Sequence, residues 1–125
     1  MIVDTNALSA IADGQPGIRA VLQKATLVAI PVIVLGEYIF GVSQSTHRSH
    51  YQKWLGENLP GFRIFNITDE TANHYAGLRL QLRPAGTPIP SNDLWIAALC
   101  REHNLPVLSR NRHFNRIERI RRLEW

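Results

Sequence analysis

Apolar positions along the chain switch repeatedly between two rhythms. Ile2-Val3, Thr26 to Ile30, Phe62 to Ile67 and Pro106 to Ser109 are short, β-branched-rich or alternating runs with the length of strands. Between them, apolar residues recur three and four apart. Leu8, Ile11 and Ala12 predict a helix that opens at Thr5-Asn6 and breaks at Asp13-Gly14. Pro16 suits the first turn of a second helix carrying Ile18, Val21 and Leu22. Val34 to Val42 predicts a helix with Leu35, Tyr38, Ile39 and Val42 on one stripe and Glu37 at its side. His47 to Leu55 predicts a polar-rich helix closed by Pro60-Gly61.

Further on, Thr68 or Asp69 caps a helix turning Ala72, Tyr75, Ala76, Leu78 and Leu82 inward. Arg83 to Pro90 is the one long loop rich in breakers, and the expected mobile element. Ser91-Asn92 caps a strong helix over Asp93 to His103, which Asn104 and Pro106 end. Phe114 to Ile117 reads as a short helical turn and Leu123 to Trp125 as an edge strand. Strands alternating with helices predict one α/β domain over residues 1–125, with a mostly parallel sheet covered on both faces. Ile2-Val3 has no polar alternation, as suits a strand buried on both sides.

Composition narrows the function. A hydrophobic fraction of 45% with three Trp supports a packed core rather than disorder. The single cysteine, Cys100, excludes an internal disulfide and a Cys-based zinc site and fits a reducing cytoplasm; it reads as core filling. The chain opens without the basic segment and apolar run of a signal peptide. Its most apolar stretch, Leu27 to Val42, is interrupted by Pro31, Gly36 and Glu37, so no membrane span is expected. The net charge of +4 favours an anionic partner, nucleic acid above all. Six Arg against one Glu crowd the stretch from Arg110 to Arg122, which places a basic rim near the end of the chain.

Three acids stand out from the remainder. Asp4 follows Ile2-Val3 directly, at the strand end where open α/β sheets bind ligands. Asp93 falls in the first turn of its helix, where free N–H groups and the dipole favour a carboxylate; Ala97 and Ala98 behind it let the helix lie close on the sheet. Glu37 is flanked by Val34, Leu35, Tyr38, Ile39 and Phe40, which predicts a buried carboxylate in need of a partner. Carboxylates that converge repel one another unless a cation holds them, and hard oxygen ligands suit Mg²⁺ or Mn²⁺. Such ions lower the pKa of bound water and offset charge on a phosphate. With a basic rim, this points to hydrolysis of a phosphodiester.

These segments resemble the PIN-domain ribonucleases, and among them the VapC-type toxins of toxin–antitoxin pairs. The resemblance rests on Ile-Val-Asp4-Thr-Asn, Gly-Glu37-Tyr-Ile-Phe-Gly41 and Asn92-Asp93-Leu-Trp-Ile-Ala-Ala98. It continues through Pro-Val-Leu-Ser-Arg-Asn111-Arg-His-Phe114-Asn-Arg-Ile to the terminal Leu-Glu-Trp125. It implies a Rossmann-like, three-layer PIN fold, Mg²⁺-dependent endonucleolytic cleavage of RNA (tRNA or rRNA by family analogy), a homodimer and a VapB-type antitoxin. Asp4 and Asp93 would hold the metal, Glu37 would complete the acidic cluster, and Asn6 would support them. The antitoxin would insert an apolar helix and a basic side chain near the acids. Ser109-Arg110-Asn111 stands where many PIN domains carry a fourth acid; Asn111 supplies no charge but offers a carbonyl that could orient a water or a ligand, and with Ser109 it would support the acids, so a fixed two-metal mechanism does not follow. A silent PIN domain that binds RNA or a partner is the non-enzymatic alternative.

Other residues carry less. Arg110, Arg112 and Arg116 are the candidates for phosphate contact, and the Arg83 to Pro90 loop for shaping a substrate groove. His47 and His50 share a helix face without a third ligand, His103 suits a helix C-terminus, and His74 and His113 could touch RNA, though nothing in the sequence fixes that role. Trp54, Trp95 and Trp125 read as packing or dimer contacts rather than base-stacking platforms. A haloacid-dehalogenase-type phosphotransferase wants a second Asp where Asn6 stands, and a receiver domain wants an acidic pair and a late lysine that this chain lacks.

Overall fold

A computed structural model describes residues 1–86 and 88–125, with Ala85 described by its backbone alone. Thr87, in the loop expected to be mobile, lies outside the described residues. Five strands form one parallel sheet: β1 (Ile2–Val3), β2 (Ala29–Pro31), β3 (Arg63–Phe65), β4 (Val107–Leu108) and β5 (Arg122–Leu123). Their order is β3-β2-β1-β4-β5. Ile2 pairs with Ala29 on one side and Val107 on the other. Successive strand residues point to opposite faces, and every residue of β1, β2 and β4 is buried, so helices cover both faces.

The helices are α1 (Thr5–Asp13), α2 (Ile18–Gln23), α3 (Val32–Ser43), α4 (Arg48–Asn58), α5 (Asp69–Leu82) and α6 (Ser91–His103). Helices α1, α3 and α4 pack together, and α5 packs along α6. Gly14 ends α1 in the left-handed region at φ 64° and satisfies the last carbonyls with its N–H, as the Asp13-Gly14 break predicts. Thr68 caps α5 through a box with Thr71. Thr71 is itself buried, and its hydroxyl donates to Glu102 Oε1 at 2.5 Å, which ties α5 to α6. Helix α6 is the central helix: Leu94, Ile96, Ala97, Ala98, Leu99 and Cys100 are all buried. Burial raises the Cys100 thiol far above its ordinary range, as befits an inert core residue. No helix among the described residues is long and apolar enough to cross a membrane.

Several elements depart from the sequence reading. Strand β2 begins at Ala29 and includes Pro31, while β3 shortens to Arg63–Phe65. The last helical turn is a 3-10 turn over Arg112–Arg116, and the edge strand is Arg122–Leu123. On α5, Leu78 is buried and Tyr75 and Leu82 are half-buried against the core, as expected, but Ala72 and Ala76 are exposed and Thr71 is buried in their place. Helix α6 starts at Ser91 after Pro90, so Ser91-Asn92 does not cap it and the Asn92 side chain is free for other work.

The chain runs from β1 outward through β2 to β3, then crosses back to β4 and on to β5. The two directions part between β1 and β4. At their carboxyl ends lie Asp4 and Ser109, at the topological switch point where this architecture leaves a crevice.

Candidate active site

Asp4 is the N-cap of α1 and is 5% exposed. Its Oδ1 accepts the Thr5 N–H at 2.7 Å. Its Oδ2 accepts the Ser109 hydroxyl at 2.7 Å and the Asn6 amide at 3.1 Å. The same amide donates to Ser109 Oγ at 3.2 Å, and Asn6 Oδ1 accepts the Arg110 N–H at 3.1 Å. Asn6 and Ser109 therefore stitch the end of β1 to the end of β4. Burial raises the Asp4 pKa from its ordinary value; the bonds from Ser109 and Thr5 oppose this, and the like charges of Asp93 and Glu37 add to it.

Asp93 sits in the first turn of α6 and is 8% exposed. Its Oδ2 accepts the Asn111 amide at 3.0 Å, and His113 Nδ1 stands 3.0 Å from the same oxygen. Asn111 does not provide a carboxylate; it caps the 3-10 turn, its Oδ1 accepting the His113 N–H at 3.0 Å. His113 is the site residue that sequence reasoning passed over. The Asn111-Arg-His spacing was legible, but its acid lies twenty residues earlier, on another element.

Glu37 corrects the expectation of a buried carboxylate: it is exposed. Helix α3 turns Val34, Tyr38 and Val42 to the core, which leaves Glu37 on the outer side with Ile39 and Phe40. It is nonetheless held, Oε2 accepting the Thr5 hydroxyl at 2.7 Å and Oε1 accepting the Asn92 amide. A cleft of about 250 Å³, lined by Thr5, Ser9, Asp13, Glu37, Tyr38 and Tyr51, opens beside it.

Among the described residues, no three His, Cys, Asp or Glu side chains form a closed ligand set. The acids supply hard oxygens instead, with Asp4 and Asp93 buried and fixed by neutral donors. That donor set fits Mg²⁺, which is commonly bound through one or two carboxylates while keeping several waters. Hydrogen bonds that orient ligating carboxylates are the usual outer support of such a site.

Residues 1–120 match the PIN domain family. The chain belongs to that family. Ribonuclease VapC2 of Rickettsia felis is 31% identical over 105 residues, which span 83% of this chain and 78% of that protein. Ribonuclease VapC5 of Mycobacterium tuberculosis is 28% identical over 115 residues, 90% of this chain and 84% of that protein. Among solved structures, VapBC2 of Rickettsia felis bound to a promoter DNA fragment superposes with a TM-score of 0.88 at 28% identity, covering 99% of this chain and 97% of the other. DNA-bound VapBC of Salmonella typhimurium gives 0.87 at 26% identity, covering 99% and 96%. The chain is thus a PIN domain of the VapC type, with the α/β architecture its sequence predicts.

In this PIN domain the basic rim is divided. Arg110 lies over the Trp125 ring at 4.4 Å and donates to the Trp125 carbonyl at 3.2 Å. Arg122 is held inward, donating to the Ser109 carbonyl and Glu124 at 2.9 and 2.8 Å. Both tie the segment from Arg122 to Trp125 to the residues that follow β4. Arg112 and Arg116 are exposed and make no side-chain hydrogen bond or ion pair among the described residues. Trp95 stacks on Tyr75 with ring centroids 3.9 Å apart, and Trp54 meets Tyr38 edge to face, so both pack within the chain. His103 lies against Phe65 near the end of α6.

Proposed function

We propose that this PIN domain is the toxin of a type II toxin–antitoxin pair and a Mg²⁺-dependent endoribonuclease, with Mn²⁺ able to substitute. The observation that carries the reading is the pair of buried carboxylates, Asp4 and Asp93, each held by side-chain donors at the sheet's switch point. They would hold the cation. A bound Mg²⁺ supplies a positive centre that offsets charge developing on the scissile phosphate. Asn6 and Ser109 keep Asp4 in place against the repulsion of its neighbours. Glu37, tied to residues adjacent to both buried acids yet open to solvent, would orient the attacking water. Arg112 and Arg116 would receive backbone phosphates of a tRNA or rRNA, with Arg110 contributing from its place over Trp125.

Relatives named as ribonucleases and neighbours solved as VapBC assemblies support this activity and a VapB-type antitoxin for the present chain. A homodimer belongs to the same reading. The test is cleavage of total cellular RNA by the purified chain with Mg²⁺, with Mn²⁺ and with EDTA, beside Asp93→Asn. Discrete fragments that need metal and vanish in the variant are expected. RNA binding by a folded chain without cleavage in either metal would overturn the enzymatic reading in favour of a silent PIN domain.

A further inference from the structure

Two donors meet one oxygen of Asp93. Asn111 Nδ2 and His113 Nδ1 each stand 3.0 Å from Oδ2, and among the described residues Oδ1 accepts no hydrogen bond. An ionised carboxylate only accepts, so the imidazole facing it presents its Nδ1–H to Asp93. The frame beneath is fixed. The Asn111 N–H donates to the buried Ser109 Oγ at 2.9 Å, Asn111 Oδ1 accepts the His113 N–H at 3.0 Å, and Phe114, the next residue, is fully buried. The imidazole thus projects from a short turn whose backbone is anchored on both sides of it.

Building on the proposed function, we infer that His113 is a positioning residue for the metal-holding Asp93. With Asn111 it occupies Oδ2 and leaves Oδ1 as the oxygen open to a divalent cation. The segment after β4 brings no fourth carboxylate; it brings two donors to the carboxylate of α6. A donor on the outer oxygen fixes the rotamer of the ligating group before the cation arrives, so less ordering remains at the moment of binding.

The test measures Mn²⁺ binding to the full chain, from the electron paramagnetic resonance signal of free Mn²⁺, for the parent, His113→Ala, His113→Gln and His113→Asn. The Asn amide nitrogen falls near the position of Nδ1, whereas that of Gln falls near Nε2. Alanine and glutamine are expected to weaken Mn²⁺ binding by about 10- to 100-fold, the usual loss when such a partner is removed. Asparagine is expected to restore it, with thermal unfolding unchanged across the series. In the parent, a long-range ¹H–¹⁵N spectrum should show the His113 ring as the Nδ1–H tautomer. Parent-like binding by His113→Ala, failure of His113→Asn to rescue, or an Nε2–H tautomer each overturns the role. Should alanine fail to fold, the asparagine–glutamine pair and the tautomer decide. A parent that binds no Mn²⁺ overturns the proposed function and this role together; a parent that binds it with His113→Ala unchanged overturns this role alone.

Discussion

The side-chain amide of Asn92 donates to Oε1 of Glu37, so the neighbour of a buried acid anchors an exposed one. The other oxygen of Glu37 accepts from Thr5, the neighbour of Asp4. Glu37 is therefore registered against both buried carboxylates without being buried itself. Asn92→Ala is expected to lower RNA cleavage by about tenfold, the scale of outer-partner losses. Because Asn92 and Glu37 are both exposed, unfolding by urea should shift by no more than about 0.5 kcal/mol. A matching loss of stability would mean that the bond holds the fold rather than the acid.

Ser109→Ala removes the hydroxyl that meets Asp4 Oδ2 in a fully buried position. Leaving a buried carboxylate short of a donor should cost about 1–3 kcal/mol, read from urea unfolding. The pH dependence has a fixed sign. Asp4 already titrates above its ordinary 3.8, so its contribution to stability is present below that value and is lost as pH rises through the folded pKa. Loss of the Ser109 bond moves that pKa higher still. The deficit of the variant should therefore be larger at neutral pH than in acid.

Tyr38 is 5% exposed, and its hydroxyl has no hydrogen-bond partner among the described residues. Tyr38→Phe is therefore expected to stabilise the chain, by about 1 kcal/mol, the reverse of the usual effect of a core substitution. Burial first, then the nearby Asp13 and Tyr51, pushes the phenol from 10.0 up to about 12. Its stabilising contribution is present below pH 10 and is lost as pH rises through the folded value. Alkaline unfolding in that window should be steeper for the parent than for the phenylalanine variant.

Arg112 and Arg116 are exposed and unpaired among the described residues, unlike Arg122 and Arg110, which tie the C-terminal segment to the residues that follow β4. Replacing both with alanine should weaken RNA binding at low salt without affecting folding. The slope of log affinity against log salt should flatten by about 0.7 for each single-strand phosphate that is no longer neutralised. An unchanged slope would assign the phosphates to other residues.

Asp4 and Asp93 were legible because their signals are local. Asp4 follows an uninterrupted apolar strand, and Asp93 falls in the first turn of a helix whose next residues are nearly all buried. Strand–helix alternation likewise determined the α/β class. Glu37 was misjudged because α3 is apolar on most of its circumference, and such a helix carries no sequence record of which way it is rotated. Packing against β2 and α1 made that choice and turned Ile39 and Phe40 outward, leaving them 47% and 66% exposed. The partners of the acids were beyond the reach of periodicity. Asn92 meets Glu37 across 55 residues of chain, Ser109 meets Asp4 across 105, and His113 meets Asp93 from a turn that only the β4 crossover brings near. The sequence by itself determined the elements and the two strongest acids, since strand ends and helix starts are properties of neighbouring residues. Only the tertiary structure decided what holds those acids, because a hydrogen bond between side chains depends on where the sheet order places two strand ends.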